Sequence, residues 1–410
     1  MLKSNLNNDA PLQSAVFLSL FSARNAFKSF GAIGFVLGLP CSLLFALHNG
    51  LSPFLMFGIA VAALATLLFS AYVSILVTGH ETMVFYRSVV FIFAVSALIP
   101  KLLHRPILDY LDLTALGSAV FLACGRLGCL SVGCCHGRPS RWGLQYGADH
   151  VRSGFAPWLE GVRLFPIQAV EALYVFGIAI AGGFWLWRHP AAGAVFEFCI
   201  VLYAFGRFFF EFFRGDDARP YFLCFSEAQW TSALLASGIF IAENLCLLPA
   251  IFFLPKILMI LSALVAAILF YQSLYNRRSH RLFSAGHVNE IARAVRTSQS
   301  RLASPRTALS RSEAAGIHVV ETSQKLRVSL GRVHRFRHSV LHFSISRSEH
   351  TLSPRDARSF AQLFARLLHR VEPCHIVKSP RGVYHFLFSE PLHSVQHSKR
   401  SDTSEFTSPI

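Results

Sequence analysis

The sequence predicts an all-α polytopic membrane protein of seven to eight transmembrane helices, followed by a small C-terminal α+β domain. Three observations carry this. First, 53% of the 410 residues are hydrophobic and only 15% charged, where a soluble domain carries about 25% charged residues. Second, no Asp, Glu, Lys or Arg occurs from Ser29 to His80, a run of 52 residues. One bilayer crossing needs ~20 apolar residues, so this run holds two helices around a turn at His48-Asn49-Gly50-Leu51-Ser52-Pro53. Third, charge gathers at the far end: from Tyr275 onward there are 22 Lys+Arg against 9 Asp+Glu, so +13 of the net +16 lies there. These figures exclude a disordered, collagen-like or disulfide-knot chain and count against an ordinary soluble enzyme.

Hydrophobic runs place the helices in order. The first spans Ser29 to Leu47, the second Ser52 to Val77 and the third Val84 to Leu102. The fourth spans Leu113 to Leu130 and ends in a Gly- and Cys-rich segment. The fifth spans Ile167 to Leu186, the sixth Ala194 to Phe213, the seventh Ala228 to Leu248 and the eighth Ile257 to Leu274. Between the fourth and fifth, Gly137 to Phe165 is polar and reads as an arm outside the bilayer. Residues 1–275 form the membrane domain on this reading. Val16 to Phe21 is too short for the apolar core of a cleavable signal peptide, so insertion is expected through the helices themselves.

Lys101, His104 and Arg105 after the third helix and Arg188 and His189 after the fifth fall on one side, taken as cytoplasmic. The arm then faces outward. Four arginines in the arm, and an eighth helix that would carry the basic tail outward, strain this scheme.

A Ser/Arg/His-rich linker is expected over 276–316, a small α+β domain over 317–392 and a disordered tail over 393–410. Ile317 to Leu330, His338 to Ser346 and Gly382 to Ser389 alternate like strands. Ser353-Pro354-Arg355-Asp356 reads as a helix start, with Phe360, Leu363, Phe364 and Leu367 on one face. The basic tail suits contact with anionic lipid or is simply solvated; no nucleic-acid signature accompanies it. His334, His338 and His342, four apart, read as solvated surface rather than a metal site.

An ionisable residue inside a bilayer is expensive and marks function by default. Four places qualify: Arg126 within Cys124-Gly125-Arg126-Leu127-Gly128-Cys129, Gln168 and Glu171 after Pro166, Glu197, and the stretch Tyr203 to Arg214. In the last, Tyr203, Arg207, Glu211 and Arg214 share one face of a helix. Arginine suits phosphate because its planar fork donates two parallel hydrogen bonds. The alternative is a structural Arg–Glu bridge between helices.

From about Pro11 to Leu235 the chain resembles the prolipoprotein diacylglyceryl transferases of bacterial membranes. Gly125-Arg126-Leu127-Gly128 is similar to that family's G-R-x-G-N-F segment, which Gly137 closes. Pro166, Gln168 and Glu171 resemble a P-x-Q-x-x-E element, and Tyr203, Arg207, Glu211 and Arg214 a Y-G-x-x-R-F-x-x-E-x-x-R element. Arg214-Gly215-Asp216-Asp217 and Ser226 to Trp230 resemble its R-x-P-D and downstream Gln elements. The resemblance implies transfer of a diacylglyceryl group from phosphatidylglycerol to the lipobox Cys of a preprolipoprotein, in the bacterial cell (inner) membrane. It implies no cofactor and no metal. Arg126, Arg207, Glu211, Tyr203 and Tyr86 would be catalytic; Arg126, Gly128, Gly137, Gln168, Glu171 and Arg214 would bind the phospholipid.

The departures lie at three places. The family's His-Gly-Gly element is replaced by Tyr86-Arg87-Ser88, with His80 and Glu81 as possible substitutes. The Asn after G-R-x-G is Cys129, and the Glu three before the closing Gly is Cys134. Tyrosine, with an ordinary pKa of ~10, is a poor base at neutral pH. A rival reading is therefore a non-catalytic phospholipid-binding paralogue that scaffolds or senses through its basic tail. A third is a related transferase with another acceptor, working through Cys134 or Cys135.

Cys129, Cys134, Cys135 and His136 are soft ligands of the kind zinc takes. Consecutive ligands reach the corners of a tetrahedron poorly, so a metal ranks below a disulfide, and small residues filling a tight helix end rank highest.

Overall fold

The computed structural model describes residues 23–78, 85–216, 221–222, 225–249, 265, 267–268, 271, 282–303, 319–335, 338–348, 351–368, 375–380 and 382–390. The chain divides into two compact units. One comprises residues 1–156 and 164–277, the other residues 157–163 and 278–410.

The first unit is a helical bundle: α1 Ala23–His48, α2 Pro53–Thr78, α3 Phe85–Leu102, α4 Ile107–Val132, the short α5 Ala148–Arg152, α6 Ile167–Leu186, α7 Ala194–Phe210 and α8 Glu227–Asn244. Among the described residues, four helices are long and apolar enough to cross a membrane, over Ala26–His48, Pro53–Ser74, Ile107–Val132 and Ile167–Leu186. These four coincide with expected spans one, two, four and five. The other segments differ for physical reasons: Ser88–Leu102 is a shorter apolar helix, and α7 has 17 residues with Glu197 and Arg207 buried in it. The expected eighth helix lies almost wholly outside the described residues, as do His80, Glu81 and Asp217.

The bundle core joins α1, α2, α4, α6 and α7 through Ala46, Met56, Ile59, Leu113, Leu116, Val175, Ile178 and Val195. The α1–α4 crossing needs small residues. A Cβ on Gly38 would come within 2.8 Å of the Gly117 carbonyl, and Ser42 Oγ donates to Leu113 O at 3.1 Å. Leu44, Phe54, Phe69, Leu76, Leu173 and Phe184 point outward and are exposed, as a surface made for lipid requires. At one end of the bundle His48 stacks on Trp187 and the His189 ring meets Asn49 Oδ1 at 2.8 Å. Asp112, missed as an intramembrane charge, is buried in α4. It accepts the backbone N–H groups of Gly193 (2.8 Å) and Phe196 (2.7 Å), so α4 caps the start of α7.

The arm between α4 and α6 is ordered by pairing: β1 Pro139–Gln145 lies beside β2 Arg163–Leu164. A second hairpin, β3 Tyr221–Phe222 with β4 Phe225–Ser226, precedes α8.

The second unit is α+β. Its antiparallel sheet has the order β5-β6-β7-β9-β8, from β5 Val319–Glu321, β6 Leu326–Arg335, β7 His338–Arg347, β8 His375–Lys378 and β9 Tyr384–Glu390. Helix α10, Pro354–Leu367, opens with Ser353 as N-cap and Pro354 at its first position, as the sequence signals. Its Phe360 and Phe364 are fully buried; Phe364 stacks on Phe343 with ring centroids 4.8 Å apart. Strand β8 was not foreseen because its four residues are all exposed and show no alternation.

The stretch 276–316 is not simply a linker, since α9, Ala285–Ala303, lies within it. Its many Ser, Arg and His hide an apolar stripe of Ala285, Ile291, Ala292 and Val295, all buried. Of the three spaced histidines, His334 lies in β6 and His338 and His342 in β7, and the His342 ring meets that of His385 at 3.0 Å.

Candidate functional site

The site-forming residues come from four places that meet at one end of the bundle, opposite the His48–Trp187 end. The end of α4 supplies Arg126, the start of α6 supplies Gln168 and Glu171, the end of α7 supplies Tyr203 and Arg207, and the chain after α7 supplies Glu211 and Arg214. Arg126, Gln168, Glu171, Arg207, Glu211 and Arg214 are all buried.

Their pairing follows from helical spacing. Arg207 and Glu211, four apart, join through Nη2 and Oε2 at 2.8 Å. Arg126 Nη2 reaches Glu171 Oε1 at 2.9 Å across the α4–α6 contact, and Arg207 Nε faces the same oxygen at 3.9 Å. Arg214 grips Asp216 with two parallel bonds of 2.8 Å. Three guanidiniums thus meet three carboxylates, and the cluster is neutral before any ligand arrives. Donors are left over: Arg126 Nε, Arg214 Nη1 and the buried Tyr203 hydroxyl have no partner among the described residues. Buried donors without acceptors are costly and suit an anionic group.

One expected alignment changes. The α-helix ends at Phe210, Glu211–Phe213 tighten into a 3-10 turn, and Arg214 is extended. Arg214 therefore leaves the helical stripe and bridges to Gly137 instead. Around it, Gly137 N–H donates to Phe165 O (3.1 Å), Arg138 N–H to Phe213 O (3.1 Å) and Gly215 N–H to His136 O (2.9 Å). Glycine is required here, because a Cβ on Gly137 would overlap the Phe165 carbonyl and one on Gly215 the Gly137 carbonyl. Gly128 faces Phe27 and Phe30 of α1, where a Cβ would sit 3.1 Å from Phe30 Cβ.

Gln168 Nε2 donates to Cys134 O at 2.8 Å, tying α6 to the turn after α4. In that turn the neighbouring thiols of Cys129 and Cys134, and the guanidiniums of Arg214 and Arg126, hold the Cys135 thiol well below the ordinary thiol range against the cost of burial. The downstream Gln element is a capping box: Ser226 Oγ accepts from Gln229 N–H, Gln229 Oε1 accepts from Ser226 N–H, and Gln229 Nε2 reaches Phe208 O at 3.3 Å. Tyr86 lies in α3, but its side chain falls outside the described residues.

Two apolar clefts adjoin. One is lined by Gly38, Leu64, Leu67, Phe93 and Phe121 among others. The second is lined by Phe93, Leu122, Val175, Ile178 and Tyr203 among others, and so reaches the polar cluster.

Comparison with known proteins accords with this arrangement. A sequence model of the prolipoprotein diacylglyceryl transferase family matches residues 45–242, which include all six buried charged and amide residues above. The chain is 33% identical over 139 residues to the phosphatidylglycerol–prolipoprotein diacylglyceryl transferase of Clostridium tetani (strain Massachusetts / E88), covering 33% of this chain and 53% of that protein. It is 31% identical over 144 residues to the phosphatidylglycerol–prolipoprotein diacylglyceryl transferase 2 of Clostridium perfringens (strain 13 / Type A), covering 34% and 52%. The chain spans about half the length of the curated relatives it matches. Neither relative lends support to the non-catalytic reading. Shared sequence and a buried arginine–carboxylate cluster in a helical bundle point the same way: over residues 45–242, just under half of the chain, this protein is similar to the prolipoprotein diacylglyceryl transferase family.

Proposed function

We propose that the protein transfers a diacylglyceryl group from phosphatidylglycerol to the lipobox cysteine of a preprolipoprotein. The observation that carries this is the buried, charge-balanced cluster of Arg126, Arg207 and Arg214 with donors to spare, beside apolar clefts. A lipid entering sideways would lay its acyl chains in the clefts and its phosphate against the guanidiniums. The acceptor thiolate attacks the glycerol carbon that carries the phosphate ester. The carbon–oxygen bond breaks, a thioether forms and glycerol phosphate leaves with the electron pair. Negative charge grows on the leaving oxygen, and prearranged cationic donors stabilise it more than they stabilise the bound lipid.

In this reading Arg126 and Arg207 hold the phosphate, Glu171 and Glu211 orient them, and Tyr203 donates to the same group. Arg214 and Gln168 fix the loop beside it, and Gly128 and Gly137 permit close approach. Tyr86 is assigned to the acceptor thiol as a hydrogen-bonding partner. We also assign α3, α7 and α8 to the membrane beside the four longer helices, in a bacterial cell membrane with the site toward its outer face. The test is a transfer assay with purified protein, labelled phosphatidylglycerol and a lipobox peptide. A diacylglyceryl-cysteine product by mass is expected; no product beside an active family member would overturn the reading.

A further inference from the structure

Cys129, Cys134 and Cys135 lie along one turn of chain, yet their Sγ atoms are all within 4.8 Å of one another. From the sequence alone, neighbours at 134 and 135 should diverge. The backbone removes that obstacle. Gly133, which caps α4, and Cys135 are both in the left-handed region, at φ 84° and φ 57°. Two reversals flanking Cys134 let sulfurs separated by one, five and six positions converge. A non-glycine residue rarely adopts this conformation, and such backbone persists where its surroundings enforce it, typically at ligand sites.

The surroundings here are specific. Gly133 N–H donates to Cys129 O at 3.0 Å, the Cys134 carbonyl is held by Gln168, and Tyr146 Oη donates to Leu130 O at 3.1 Å. A Cβ on Gly133 would press the Phe155 ring at 2.9 Å. All three cysteines are free thiols: Cys129 is buried, Cys135 half-buried and Cys134 exposed.

We propose that Cys129, Cys134 and Cys135 form a three-thiolate site for a soft divalent ion of the zinc class, with a fourth position open to solvent beside Cys134. Zinc–sulfur bonds of ~2.3 Å set tetrahedral sulfurs ~3.8 Å apart, so loading draws no pair of sulfurs in by more than about 1 Å. The ion is held by thiolates, so binding releases the protons that the thiols still carry. The loaded group carries one negative charge, and Arg126 and Arg214 act on this turn electrostatically with the compensating sign. The ion would pin the end of α4 three residues beyond Arg126.

The experiment takes full-length protein in detergent, reduced and stripped with a chelator, and titrates it with Cd²⁺ alone. Expected are a thiolate-to-cadmium ultraviolet band saturating at one equivalent, displacement by Zn²⁺, and protection of three thiols from maleimide in the zinc-loaded protein. Cys129→Ser and Cys135→Ser should each weaken binding by more than the ~10–100-fold that loss of a supporting group costs; Cys246→Ser should leave it unchanged. Absence of the band, or its persistence in a folded triple Cys→Ser variant, overturns the proposal. So does a disulfide among the three thiols in protein purified without reductant. Should a variant fail to fold, the wild-type thiol count decides, and fewer than three protected thiols overturns the site. None of these readouts requires transfer, so the outcome stands apart from the transferase reading.

Discussion

Arg126 on α4 and Glu171 on α6 meet at 2.9 Å, and the same carboxylate oxygen faces Arg207 of α7 at 3.9 Å. One buried acid therefore fixes the separation of two cations from two other helices. Removing one partner of a buried pair costs ~3–5 kcal/mol, chiefly because a charge is left uncompensated. Glu171→Gln should lower the melting temperature and also abolish transfer, since both guanidiniums lose their shared anchor. A variant with wild-type melting and wild-type turnover would remove Glu171 from the site.

Arg126→Ala and Arg207→Ala should each reduce transfer by on the order of 10²–10³-fold, the usual loss when one contact to developing charge is deleted. Lysine at either position restores charge without the planar fork and should recover only part of the rate. Full turnover of labelled phosphatidylglycerol in either alanine variant would refute the phosphate site.

Tyr203 offers a cleaner separation of fold from function. Its hydroxyl is buried and has no partner among the described residues, so Tyr203→Phe should leave thermal stability unchanged or raise it slightly. A hydrogen bond to a charged group is worth ~1.5–3 kcal/mol, so turnover should fall roughly 10–100-fold. Equal rates for Tyr203→Phe and wild type would show that the hydroxyl does not reach the substrate.

The sequence disclosed the helices and the chemistry-bearing residue types, because apolar runs and intramembrane charges are local signals. Ile167–Leu186 agrees with its expected span at both ends. What stayed hidden depends on tertiary placement. Asp112 falls just outside the expected fourth span, Leu113 to Leu130, yet it is buried and caps α7 from another segment. Arg214 fitted a helical repeat, but a 3-10 turn places it against Gly137. The convergence of three cysteines rests on a left-handed φ at Cys135, which no spacing rule anticipates. Helix α9 escaped notice because its buried stripe is made partly of alanine inside a strongly polar composition.

The second unit carries a pH dependence of its own. His287 is buried in α9; one ring nitrogen meets Leu282 O at 2.7 Å and the other Thr322 Oγ1 at 2.7 Å. A backbone carbonyl only accepts, so the neutral ring donates there and accepts from the threonine hydroxyl. Burial pushes its pKa below the ordinary value, with Glu290 opposing and Arg347 assisting that shift. The unfolded chain, with His near ~6.5, then binds the proton first. Stability is intact above that pH and falls as acid is added below it. Hydrogen exchange over β5 and β6 should accelerate on acidification below about pH 6.5, and His287→Gln should flatten that response. An identical acid response in the variant would place the sensitivity elsewhere.

Glycine substitutions test whether close backbone approach builds the site. Gly137 and Gly125 flank the same turn but differ in surroundings. A Cβ on Gly137 would overlap the Phe165 carbonyl, whereas nothing lies within 4 Å of one on Gly125. Gly137→Ala must separate the 136–138 segment from Phe165, and that movement pulls on the bridge to Arg214 and on the His136–Gly215 bond. Misplacing a positioned cation by about 1 Å can cost on the order of 10²-fold in rate, so transfer should fall by that order. Gly125→Ala sits in a helix, where alanine is favoured over glycine by ~1 kcal/mol, and should be as active as wild type and slightly more stable. The pair is read by comparing turnover and melting temperature side by side. Equal activity in both variants would mean that the Gly137–Arg214 contact does not position the arginine.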